Sequence, residues 1–144
     1  MKLSAKLQRL VERELDSLVK RAEQCVEVAV RDDSKKKKDT QDTQFRNLQN
    51  IAAATTSVFV LENFLRYQMG RGYVDEKVGE RILQDIEDLK KRAEDVARKE
   101  GFAESEEFPT FRMELIRLYL GFLVRAIKAE AKQGESTRGG RGGD

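Results

Sequence analysis

Histidine is absent from this chain, cysteine occurs once, at Cys25, and proline once, at Pro109. Each shortage excludes something. Without histidine, the common base for activating a hydroxyl or thiol nucleophile is missing, so the usual nucleophile–base pairs cannot be assembled. With one cysteine no intrachain disulfide can form, which fits a reducing compartment. Cys25 lies in an amphipathic helical pattern beside Val26 and reads as a small buried hydrophobe rather than a reactive thiol. The lone proline and the scarcity of β-branched runs leave long stretches free to be helical. No alternating apolar pattern marks a strand, and no glycine-rich phosphate loop follows one. No stretch of about 20 apolar residues is present to span a membrane. The first thirty residues carry charges throughout, so no signal peptide is expected and the expected location is the cytoplasm.

Charge is what the chain has in abundance. Charged residues make up 38% of its 144 residues against 39% hydrophobic, and 28 Lys and Arg nearly balance 26 Asp and Glu. A net charge of +2 says little about partners, so the placement of charge carries the information. The carboxylate pairs Glu87-Asp88 and Glu106-Glu107 are sequence neighbours, about 100° apart on a helix, and read as solvated charge. Nothing here assembles a catalytic centre, and the expectation is a non-enzymatic protein without a metal or other cofactor.

The apolar spacing predicts an all-α, single-domain bundle of four to five helices with a long N-terminal helix. Leu7, Val11, Leu15, Leu18, Ala22, Cys25 and Ala29 form one stripe, with Ser4 as N-cap. Residues 1–31 therefore read as an N-terminal helix or arm. Residues 32–42, polar and lysine-rich, read as a mobile linker. The helical core then spans 43–132. Its first helix begins near Thr43 and carries Phe45, Leu48, Ile51, Ala52, Val58, Phe59, Leu61 and Leu65; the uncharged middle, 51–61, is expected deep in the core. Ala54-Thr55-Thr56-Ser57 is a weak helical stretch that suggests a kink or break. Gly70 reads as a C-cap, with a turn through Gly72. The next helix begins near Asp75, carries Val74, Val78, Ile82, Ile86, Leu89, Ala93 and Val96 on one face, and ends at Gly101. Pro109 suits the first turn of the last helix. That helix is apolar on two faces, which predicts a central position or burial against another subunit. Residues 133–144 are rich in Arg and Gly and read as a disordered tail.

The basic residues supply the functional signal. Arg46 and Arg71 each stand at the edge of an apolar helical segment, where a guanidinium is a poor acid or base but a good phosphate ligand. On one continuous helix they would share a face, about 37 Å apart along the axis. In the last helix Arg117, Arg125, Lys128 and Lys132 fall on one stripe able to follow a phosphate backbone. Alone, each feature reads equally as a cap, a surface ion pair or a solvated edge.

Three segments together resemble the small subunit of type III-A CRISPR (Csm) interference complexes. Thr43-Gln44-Phe45-Arg46-Asn47-Leu48 is similar to that family's Ser/Thr-Gln-Ile/Leu-Arg-Asn/Lys-Leu helix start, and Tyr67-Gln68-Met69-Gly70-Arg71 to its Tyr-Glu-Ala-Gly-Arg segment. Phe111 with Glu114-Leu115-Ile116-Arg117-Leu118-Tyr119 is similar to its C-terminal Glu-Ala-Leu-Val-Ala-Tyr helix. The matches occur in the family's order over about residues 43–131. Where the family often has a basic pair after that last tyrosine, this chain has Leu120-Gly121.

The resemblance implies a non-catalytic subunit that stacks in several copies along the backbone subunits and contacts guide RNA and single-stranded target RNA. Arg46 and Arg71 carry over as phosphate contacts, with Arg117, Arg125 and Lys128 completing the expected nucleic-acid-binding set. Self-association and contact with backbone and large subunits are expected. The alternatives are the small subunit of a related CRISPR effector type, or an oligomeric helical scaffold or adaptor that binds protein alone.

Overall fold

Good helix formers and well-placed caps dominate the chain, and the structure, a computed structural model describing residues 2–30 and 35–142 with side chains over 2–30 and 41–130, is helical throughout, with no strand among the described residues. Five helices follow in order: α1 (Ala5–Val30), α2 (Lys35–Ala54), α3 (Val58–Gly70), α4 (Glu76–Glu100) and α5 (Phe108–Gly142).

Local chemistry explains most boundaries. The Leu7 N–H donates to Ser4 Oγ at 3.4 Å, the N-cap contact expected of Ser4. Ser57 caps α3 by accepting from Val60 N–H, and Asp75 caps α4 by accepting from Lys77 N–H at 3.1 Å. Gly101 ends α4 in the left-handed region at φ 80°, with the Phe102 N–H donating back to the Ala97 carbonyl at 2.8 Å. Gly70 is not the cap of α3. Arg71 occupies that position at φ −83°, and the left-handed residue is Gly72 at φ 79°.

α5 is the central element and packs against α1, α2 and α4. Phe111, Leu115, Ile116, Tyr119, Leu120 and Leu123 are fully enclosed on it. The apolar excess of this helix is therefore satisfied within the chain. α1, read from sequence as an arm, supplies much of that cover through Leu7, Leu18, Ala22, Cys25 and Ala29. α1 is tied down at its start and again past its middle: the Ser4 N–H donates to Glu107 Oε2 at 2.8 Å, and Arg21 pairs with Asp88 at 2.9 Å. Asp88 and Glu107 thus hold helices together rather than standing as solvated charge.

Three further expectations change. α2 starts at Lys35, so residues 35–42 of the expected linker are helical, while 31–34 lie outside the described residues. Lys and Gln are good helix formers, and the segment has no Gly or Pro to stop it. The expected burial of the whole stretch 51–61 fails at Phe59, 76% exposed, and Val60, 52% exposed. The break at 55–57 restarts the register, so α3 buries Val58, Leu61 and Leu65 and turns its next positions outward. Finally, the α5 backbone continues as helix to Gly142, over most of the segment expected to be a disordered tail, and 143–144 lie outside the described residues. Extending a helix that is already nucleated needs only one new bond per residue.

Candidate nucleic-acid interface

The break between α2 and α3 rules out a single rod carrying Arg46 and Arg71 at opposite ends. It brings their motifs together instead. Gln44 on α2 and Gln68 on α3, 7% and 6% exposed, meet through a hydrogen bond from Gln68 Nε2 to Gln44 Oε1 at 2.8 Å. Each glutamine belongs to one of the two arginine motifs. A buried amide pair of this kind fixes the relative position of its helices, because leaving either group unmatched would cost about 1–3 kcal/mol.

Gln68 uses its other end to orient Arg71. Its Oε1 accepts from Arg71 Nη1 at 3.5 Å, and Arg71 Nη2 donates to the Tyr73 hydroxyl at 3.0 Å. The guanidinium carbon stands 5.2 Å from the Tyr67 ring centre and 4.4 Å from that of Tyr73. Arg71 is thereby a surface cation held in place by two rings and a buried amide, with donors to spare from its set of five. Arg46 is exposed on α2 and pairs at 3.6 Å with Asp42 one turn earlier, a surface pair that a phosphate can displace at small cost.

Arg117 is placed differently. Its Nε donates to the Ala52 carbonyl at the end of α2, and its Nη1 lies 3.5 Å from Glu114 Oε2. It satisfies one of the carbonyls that the end of a helix leaves without a partner, a structural duty that its stripe on α5 did not disclose. Arg125 and Lys128 are exposed on the same helix, Arg125 resting 5.6 Å from the Phe122 ring. The Lys132 side chain lies outside the described residues.

The arrangement that sequence reasoning missed is a buried polar cluster. Asp85, 1% exposed on the inner face of α4, accepts from the Tyr119 hydroxyl at 2.6 Å, from Arg81 Nε at 3.0 Å and from Arg21 Nη1 at 3.4 Å. Its signal was available: Asp85 sits three residues after Ile82, inside the apolar stripe. Burial pushes the Cys25 thiol from its ordinary 9.0 up to about 12 against an opposing hydrogen bond with Tyr119. Burial first, then the neighbouring Cys25 and Asp85, raises the Tyr119 phenol well above its ordinary range. Both groups stay protonated at neutral pH, so the cluster joins α1, α4 and α5 and its thiol is a poor nucleophile.

Among the described residues no group of three or more cysteine or acidic side chains is placed to hold a metal ion, and no helix is long and apolar enough to cross a membrane. Comparison of the chain with family models, curated proteins and solved structures finds no match.

Proposed function

We propose that this protein is a non-catalytic small subunit of a cytoplasmic, RNA-guided CRISPR interference complex of type III-A, acting in antiviral defence. In this reading several copies stack along the backbone subunits and contact target RNA or the guide–target duplex. The observation that carries it is the meeting of the two arginine motifs through Gln44 and Gln68, which sets a braced Arg71 at the surface. Two segments that resemble a family separately gain weight when they build one site together.

Arg71, Arg46, Arg125 and Lys128 are the phosphate contacts in this reading, and Arg117 is removed from the set because the fold already uses it. Guanidinium and ammonium groups binding a phosphate backbone release counterions, which gives affinity without sequence preference. Isolation of the protein from its host, followed by identification of what co-purifies, tests the reading. Backbone and large CRISPR subunits with guide RNA are expected. Recovery of protein partners alone, with no RNA, favours the oligomeric scaffold or adaptor instead.

A further inference from the structure

We propose that the outward face of α3 is a stacking platform for unpaired bases of single-stranded RNA, a proposal that rests on the RNA-binding reading above and names where the bases go. At about 100° per residue, Phe59, Val60, Asn63, Arg66 and Tyr67 fall within one arc of about 120°. Phe59 is 76% exposed, Tyr67 58% and Tyr73, just beyond the helix, 42%. These are the large rings left in water by a chain that encloses Phe45, Phe111 and Tyr119 completely.

Charge identifies the occupant. The single acid of α3, Glu62, is turned inward and pairs with Lys90 at 3.4 Å. The outward arc and its cap carry Arg66 and Arg71, neither with a carboxylate partner among the described residues. An arc of α3 with rings and cations but no acid of its own, bordered by Glu87 that Lys90 holds at 3.2 Å, complements a strand that offers flat bases and phosphates in alternation. Aromatic rings stack on any base, and guanidinium groups take the phosphates between. Lys90 lies over the Phe59 ring at 5.2 Å, which orients that ring from one side. Tyr67 is oriented in the same way by Arg71.

The test uses the full chain with short oligouridine, an abasic strand of equal length and the corresponding RNA duplex. Oligouridine should bind roughly tenfold more tightly than the abasic strand, because only the former has bases to stack. The duplex, whose bases are already stacked in pairs, should lose the same advantage. Phe59→Leu should weaken oligouridine binding roughly tenfold with the salt dependence unchanged, and should leave abasic binding as it was. Tyr67→Leu should weaken oligouridine binding by at least as much and also cost some abasic binding, because that ring braces Arg71, whereas Tyr67→Phe, which keeps the ring, should stay near the unmodified protein. Equal binding of oligouridine and abasic strand, with ordinary salt dependence, would overturn the platform and leave the phosphate-binding reading standing. Absence of RNA binding at low salt would overturn both. A self-association that Phe59→Leu abolishes, with RNA binding unchanged, would make α3 a contact between copies and sink the proposal. The abasic comparison needs no variant, so a poorly folding substitution cannot blur the outcome.

Discussion

At the scale of single residues, the arginines divide by what they already touch. Arg71 is exposed and braced, so Arg71→Ala should cost RNA affinity about 1.5–3 kcal/mol, the value of a hydrogen bond to a charged group. Its effect on stability should stay within about 1 kcal/mol, the usual worth of an exposed cation–π contact. Arg117→Ala should do the reverse. Removing its bond to the Ala52 carbonyl leaves a half-buried acceptor unsatisfied and should lower stability by about 1–3 kcal/mol, while RNA affinity per folded molecule stays constant. Paired melting and binding measurements on the two variants check both. A large melting shift for Arg71→Ala with unchanged binding would make the role of that side chain structural.

The buried thiol offers a second residue-scale test, with a defined sign. The folded state raises the ionisation of Cys25 from 9.0 to about 12. Between those values the unfolded chain has lost its thiol proton and the folded chain has kept it. Unfolding is then favoured by rising pH, so this contribution is fully present below pH 9.0 and is lost toward about 12. Tyr119 pushes in the same direction, since burial raises it too. Denaturant midpoints followed across this range should fall, and Cys25→Ala should flatten the lower part of the decline. A thiol reagent should modify native Cys25 slowly and unfolded Cys25 quickly.

At the scale of the elements, helix ends are the sensitive points. Ser57→Ala should cost about 1 kcal/mol by removing the cap that restarts the helix after the α2 break. Gly101→Ala should cost a comparable amount, about 1 kcal/mol, because φ 80° is reached there without strain only by glycine. Thermal melts of both single variants measure this.

Ser4, Asp75 and Gly101 were legible in the sequence because each acts within a turn of its own position. The apolar stripes of α1, α4 and α5 were legible for a similar reason, being periodic over many residues. The register of α3 was not. Whether Ala54-Thr55-Thr56-Ser57 bends or breaks depends on where α4 receives α3, and that packing is not local to the break. Phe59 and Val60 turn outward as a result, and a uniformly apolar run cannot reveal it. The site was half legible in the same sense. Arg46 and Arg71 stand out locally, but the glutamine pair that unites their motifs needs the folded hairpin, and the duty of Arg117 depends on a carbonyl 65 residues away.

At the scale of the whole molecule, one central helix wrapped by α1, α2 and α4 turns an apolar excess into a core and leaves α3 with the exposed rings. The surface that remains is charged and mixed, which places any RNA contact at specific edges rather than in a general basic field. That claim is open to one titration: the full chain against single-stranded RNA from about 50 to about 200 mM salt. Affinity should fall steeply and linearly in the logarithms, and Arg71→Ala should reduce the slope by about one, the loss of a single phosphate contact. Arg117→Ala should leave the slope alone. No binding at the low-salt end, or binding indifferent to salt, would contradict a phosphate-contacting subunit.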